Sequence, residues 1–349
     1  MRIDAQIGSD PTRAAQRAEL LEATDYDGVW ISERIHDPFL GLALAAARTR
    51  RLTLGTSIAV AFARNPMTTA QLGWDLQSIS GGRFNLGLAS LIKPHITRRF
   101  SMPWSEPAAR MREYVAAMHA IWDAWESGGR LDFRGDYYQH TFTNPMFIPP
   151  PSPYSRPAVH LGAVGPLMTQ TAGRAADGLL CHPLTTASYL NEVMLANLRA
   201  GLDSAERPTG AVQITVFPLL IAAETAESFD VQARETRRRI ANGASTPAYR
   251  AILEHHGWSD AHEELLLLTK QGRWTDMPDV IDDEMLRTIA AVGTPAEVAR
   301  ILEARYGDVA SRLIITTSFN RDADGHEALA ADRESLLHSL RDALGRNEH

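Results

Sequence analysis

Positions 3–7 alternate between apolar and polar side chains, the two-residue period of a half-buried strand. Asp10-Pro11 follows, an N-cap and a proline preset for the first helical turn, and predicts a helix to about Thr24. The same beat then repeats. Residues 28–33, 52–60 and 84–89 read as strands. Residues 38–48 and 66–80 read as helices, the second broken by Gly81-Gly82. Such alternation with short connections builds a parallel sheet covered by helices.

The clearest helix spans 107–125. Ala108, Met111, Val115, Met118, Trp122 and Trp125 recur every three or four residues and form one apolar stripe, the mark of a core-facing helix. Residues 133–138 read as a small hairpin, and six prolines from Pro145 to Pro157 make an extended, stiff loop. Strands resume at 158–162, 178–182 and 213–222. The helices between them start at the Gly165-Pro166 turn and span 189–205. From Glu224 to Ala291 the pattern is polar and helical, longer than one connection needs, and predicts an inserted group of helices. Thr294-Pro295-Ala296-Glu297 is a capping box with proline at the first helical position. Its helix precedes a last strand at 312–317, and a final helix at about 327–344 closes the chain.

Eight strands alternating with helices predict an α/β fold, a (β/α)8 TIM barrel formed as one domain over residues 1–349. It would carry a proline-rich loop near 143–157 and a helical insertion near 224–291. A doubly wound open sheet is the alternative. No Gly-x-Gly-x-x-Gly follows the first strand, where a dinucleotide fold would place it, and there is no Walker motif.

Composition narrows the partners. Hydrophobic residues make up 44% and charged residues 22%, values of a globular chain. A net charge of −7 provides no broad cationic surface for nucleic acid. No apolar run approaches the roughly 20 residues of a membrane span, and the N-terminus lacks the apolar stretch of a signal peptide. Cys181 is the single cysteine, so no intramolecular disulfide forms, which fits a cytoplasmic protein.

In a barrel, reactive groups come from the C-terminal ends of strands. That rule selects Ser9 and Asp10, then Glu33, Arg34 and His36, then Ser57, Ser90, Lys93, Gly165 and His182. His36 lies beside carboxylates and has the makings of a general acid–base group, although a surface histidine reads the same way. Glu33-x-x-His36 has no further paired ligands, so no metal is expected. His182 follows Cys181 at a strand end; the thiol is expected inside the strand and inert. Lys93, His95, Arg98 and Arg99 form a basic cluster, read either as an anion site or as a solvated loop. At Val164, Gly165, Pro166, Leu167 and Met168 a strand turns into a helix. Free N–H groups and the helix dipole there would face a phosphate.

Several segments, in order, resemble the luciferase-like monooxygenase superfamily, especially its branch using the deazaflavin coenzyme F420. They are Tyr26-Asp27-Gly28-Val29-Trp30-Ile31-Ser32-Glu33, Leu54-Gly55-Thr56-Ser57-Ile58, Ser80-Gly81-Gly82-Arg83-Phe84-Asn85-Leu86-Gly87-Leu88, Gly165-Pro166 and Ala172-Gly173-Arg174-Ala175-Ala176-Asp177-Gly178. The resemblance implies a barrel with the flavin-like ring at its C-terminal mouth. It implies a non-prolyl cis peptide behind the ring, matching Ser57–Ile58, and an acidic residue at the ring's polar edge, matching Glu33. It places the cofactor phosphate at Val164, Gly165 and the residues after Pro166, and it implies a homodimer joined through helices two and three. The loop Ser90-Leu91-Ile92-Lys93 lacks the glutamate of the sugar-phosphate dehydrogenase branch, so the substrate stays open.

The resulting expectation is hydride transfer between F420 and a small organic substrate, with His36 or His182 as proton donor or acceptor. Two alternatives share the barrel: an FMN-dependent monooxygenase using reduced flavin and O2, and a non-catalytic cofactor-binding barrel.

Overall fold

The computed structural model describes residues 1–316 and 327–344, with side chains from 332 onward in the last helix. Eight strands form the barrel: β1 Arg2–Ile7, β2 Gly28–Ile31, β3 Thr53–Thr56, β4 Phe84–Ala89, β5 Ala158–Ala163, β6 Gly178–Cys181, β7 Gln213–Val216 and β8 Arg312–Thr316. All neighbours are parallel. The ring closes because β1 pairs with both β2 and β8, while β3 pairs with β4. This is the (β/α)8 barrel that the alternation predicts.

The helices α1 Pro11–Ala23, α2 Pro38–Arg48, α3 Pro66–Ile79, α4 Pro107–Ser127 and α5 Pro166–Ala175 cover the outside. All five carry proline in the first turn. Asp10, Asp37 and Asn65 cap the first three through side-chain oxygens that accept backbone N–H bonds, which stops the chain from fraying at the mouth. The stripe on α4 is buried from Met111 to Trp125, with Ala108 at its partly exposed start. Thr294 forms the predicted capping box with Glu297.

Inside the barrel, residues two apart on each strand face the axis. Trp30, Leu180, Phe217 and Ile314 fill it, with Ile58 against them. Below them Asp4 pairs with Arg312 at 2.7 Å, accepts the Trp30 indole N–H at 2.8 Å and is fully buried. Gly55 makes room for this layer: a Cβ there would lie 2.3 Å from the Trp30 ring.

Three predicted elements need correction. Positions 213–222 are two strands, because Pro218 has no N–H to donate and interrupts the ladder. Only Gln213–Val216 joins the barrel. Leu219–Ala222 pairs instead with Ala290–Gly293 in a separate two-stranded parallel sheet. The helical insertion therefore ends in a strand. Its helices are Ala226–Ala244, Arg250–His255, Ser259–Gln271 and Asp283–Ile289, while the distant partner 219–222 holds residues 290–293 extended. The predicted strand 52–60 is likewise interrupted, between Thr56 and Ala59.

Candidate active site

The interruption in strand three sits at the mouth. Gly55 pairs with Asn85, and the next registered pair is Ala59 with Leu88. Thr56, Ser57 and Ile58 therefore oppose only Leu86 and Gly87, one extra residue, and the chain bulges. The Ser57–Ile58 peptide within the bulge is cis, as the resemblance implied. Thr56 bridges the gap: its Oγ1 accepts the Gly87 N–H at 2.8 Å and donates to the Gly87 carbonyl at 2.7 Å. No side chain fits at position 87, where a Cβ would stand 1.9 Å from the Thr56 carbonyl oxygen.

Both flanks of the bulge are tied to strand two. Ser57 N donates to the Ile31 carbonyl at 2.9 Å, and Glu33 N donates to the Ile58 carbonyl at 3.0 Å. The Ser32 hydroxyl donates to the Ser57 carbonyl at 2.7 Å. Gln6, from the end of β1, donates through Nε2 to Ser32 Oγ at 2.6 Å and Ser57 Oγ at 3.1 Å; Thr316, from β8, donates to its Oε1 at 3.4 Å. Gln6, Ser32 and Thr316 escaped the sequence reading. The signal was present: Gln6 lies two residues beyond Asp4, Ser32 two beyond Trp30 and Thr316 two beyond Ile314, so all three belong to the axis-facing set.

Glu33 is built into the same structure. Its Oε2 accepts the Val60 N–H at 2.8 Å and pairs with Arg64 at 2.7 Å, with only 7% of the carboxyl side chain exposed. Arg64 also pairs with Asp37 at 2.7 Å. Burial pulls the Arg64 guanidinium down, but the hydrogen bonds and charges of Glu33 and Asp37 outweigh it and hold it above its ordinary value. Glu33 thus braces the bulge through one oxygen. Its Oε1 makes no hydrogen bond to a described residue.

On the far side of the mouth, β5 turns into α5. Gly165 is the N-cap residue and Pro166 the first helical residue, and no side chain caps this helix. The first intrahelical donor is Thr169, to the Gly165 carbonyl at 3.1 Å. The N–H groups of Leu167 and Met168 therefore have no capping side chain, unlike those at the starts of α1, α2 and α3. Leu167 is exposed, and a Cβ on Gly165 would meet no atom within 4 Å. Tyr189, whose hydroxyl donates to the Val164 carbonyl at 3.3 Å, steadies the turn.

His182 follows β6 and, two residues beyond Leu180, belongs to the axis-facing set. Tyr249, from the insertion, stacks on its ring with centroids 3.9 Å apart. Nδ1 accepts the Leu184 N–H at 3.2 Å, so the neutral ring carries its proton on Nε2. Burial pushes this imidazole down to about 4. Cys181 is buried, and burial pushes its thiol up to about 12, which makes it inert.

His36 is exposed on the loop after β2 and makes no hydrogen bond to a described residue. The structure does not join it to Glu33, whose carboxylate turns toward Arg64. Lys93, His95, Arg98 and Arg99 are exposed on the loop after β4, and Arg99 donates to the Arg34 carbonyl. Among the described residues no group of three or more His, Cys, Asp or Glu is placed to hold a metal, and no helix is long and apolar enough to cross a membrane.

Comparison with known proteins places this geometry. A family profile described as luciferase-like monooxygenase matches residues 2–312. An uncharacterized protein of Mycobacterium tuberculosis is 47% identical over 314 residues, which are 90% of this chain and 92% of that protein. An F420-dependent glucose-6-phosphate dehydrogenase of Intrasporangium calvum is 32% identical over 206 residues, 53% of this chain and 58% of the relative. Among solved structures, the coenzyme F420 dependent tetrahydromethanopterin reductase from Methanopyrus kandleri superposes with a TM-score of 0.76 at 19% identity, covering 97% of each chain.

Proposed function

The chain belongs to the luciferase-like monooxygenase family, and we propose that it is an oxidoreductase moving a hydride between coenzyme F420 and a small organic substrate. One observation carries the reading. The bulge at Ser57–Ile58, the uncapped start of α5 and His182 all lie at the C-terminal ends of barrel strands, around one opening.

The residues present suit such a cofactor. Leu167 and Met168 offer backbone N–H groups at a positive helix end, with open space beside Gly165, as a phosphate requires. Ile58 provides an apolar backing, and Glu33 Oε1 is an uncommitted acceptor beside it. The deazaflavin, when bound, supplies a ring carbon that gives or receives hydride.

The chain's own part is positioning. The Gln6–Ser32–Ser57 bonds keep the bulge rigid, so that two reacting carbons meet in fixed geometry. His182 is neutral at working pH and presents Nε2–H as a hydrogen-bond donor to a substrate oxygen. His36 stands exposed and unoriented, so the substrate contact falls to His182.

Fluorescence titration with F420 and, separately, with FMN tests the proposal. The expected result is micromolar binding of F420 alone, weakened in Glu33→Ala. Binding of FMN alone, with oxygen uptake when reduced flavin is supplied, would overturn it in favour of a monooxygenase. Binding of neither would overturn the cofactor site itself.

We further propose a homodimer formed through α2 and α3. Leu40 and Leu44 on α2 and Ile79 at the end of α3 stand exposed, at 62%, 48% and 52%. Light scattering on the purified protein should give twice the chain mass, and Leu40→Glu with Leu44→Glu should give one.

A further inference from the structure

Away from the mouth, a cavity of about 530 Å³ opens on the outer flank between α4 and the C-terminal end of α5. Arg112 and His119 reach it from α4, Arg174 from the last turn of α5, and Arg207 from beyond the helix Leu195–Asp203. Arg156 and Asp177 precede β5 and β6, which sets the cavity toward the end of the barrel opposite the mouth. Four guanidiniums thus line it with a single carboxylate.

That carboxylate is engaged through one oxygen: Asp177 Oδ2 accepts the Val159 N–H at 2.9 Å. None of the four arginines forms an ion pair with a described residue. Arg174 donates through Nε to Ser204 Oγ at 2.7 Å, and Arg207 through Nη1 to the Gly173 carbonyl at 2.7 Å. These bonds hold two of the side chains and leave the rest of each fork unused. Arg112 and Arg156 have no hydrogen-bond partner among the described residues, and Arg156 Nη1 and His119 Nε2 are buried with none. Buried polar atoms of this kind normally find partners. Burial and the neighbouring Arg156 push the His119 imidazole down to about 4, so it enters as a neutral ring.

A chain with a net charge of −7 has carboxylates to spare, yet only Asp177 stands against these four arginines. We infer that the cavity is a second binding site, distinct from the cofactor mouth, for a small polyanion of the phosphate-ester or diphosphate class. The planar guanidinium fork matches two oxygens of one phosphoryl group, and several forks around one cavity match a multiply charged ligand. The volume falls within the range of small-molecule sites, about 300–1,000 Å³.

Calorimetric titration of the full-length protein with inorganic pyrophosphate tests this. The expected result is saturable binding that weakens as salt rises. Arg112→Gln and Arg156→Gln should each weaken it by about tenfold, the worth of one charge-assisted bond. Arg112 is exposed on the surface of α4, so its variant keeps the fold even where Arg156→Gln does not. Arg134→Gln, on the small hairpin and paired with Asp132, should bind as the unaltered protein does. No saturable binding, or equal losses in Arg134→Gln and Arg112→Gln, would overturn the site. Tighter binding of citrate than of pyrophosphate would overturn its phosphoryl character.

Discussion

Asp4 and Gln6 are two residues apart on β1 and both face the barrel axis, but they serve opposite ends of it. Asp4 closes the base. It is fully buried, bonded to Trp30 and ion-paired with Arg312, whose other fork nitrogen donates to Thr53 at 3.2 Å. Burial pushes the Asp4 carboxyl upward against the pull of Arg312 and Trp30. Gln6 belongs to the mouth. It is half-buried, and its bonds include those to Ser32, Ser57 and Thr316, neutral groups at strand ends. The base is a sealed polar cluster in which Asp4 and Arg312 bond to each other, to Trp30 and to Thr53. The mouth leaves acceptors and donors open at Glu33 Oε1, the α5 N-terminus and His182 Nε2. One strand thus carries a stability site and a candidate reaction site a single pleat apart.

The base should break most expensively. Arg312→Met leaves the Asp4 carboxylate buried without its counter-charge, a loss of about 3–5 kcal/mol. Denaturant unfolding should show the midpoint falling accordingly. Adding Asp4→Leu to Arg312→Met should restore much of the stability, since an apolar pair needs no desolvation of charge. If the double variant is as unstable as the single one, the base is held by geometry rather than by charge pairing.

The mouth should break differently. His182→Ala removes a donor on the proposed reaction path, and kcat should fall about 10²–10³-fold, or about 3–4 kcal/mol of transition-state stabilisation. The unfolding midpoint should move little, because the ring is bonded to the protein only through Leu184 N–H and the Tyr249 stack. A large drop in stability with unchanged turnover would reverse the assignment of the two ends.

Legibility in the sequence follows the same division. The eight barrel strands, α2 and the capping box at Thr294 stand out because period, cap and turn residues are local signals. The strand Ala290–Gly293 does not, since its partner Leu219–Ala222 lies some 70 residues earlier and two adjacent alanines carry no strand signal. Glu33 was legible as a strand-end carboxylate. Its engagement with Arg64, 31 residues on, was not, because only the fold brings the two together. Gln6 was readable from the alternation that marks Asp4, but an amide in a strand draws less attention than a histidine.

A third contrast separates the two ends by pH. His160 lies at the base level, edge-on to Trp30 with centroids 5.8 Å apart, and its Nδ1 has no hydrogen-bond partner. Burial pushes it down to about 4, as it does His182 at the mouth. In the unfolded chain each imidazole takes up its proton near the ordinary value of about 6.5. Between those values the unfolded chain binds more protons than the folded one, so stability falls as pH drops through that window and is unaffected above it. Melting temperatures measured on the two sides of pH 6.5 should show this slope. His160→Gln should flatten it, because a base residue titrates only when the protein opens. A ligand bound at His182 should steepen the mouth's share, since the ligand needs the neutral ring. Equal slopes in the unaltered protein and His160→Gln would mean that the base is not the sealed compartment that distinguishes it from the mouth.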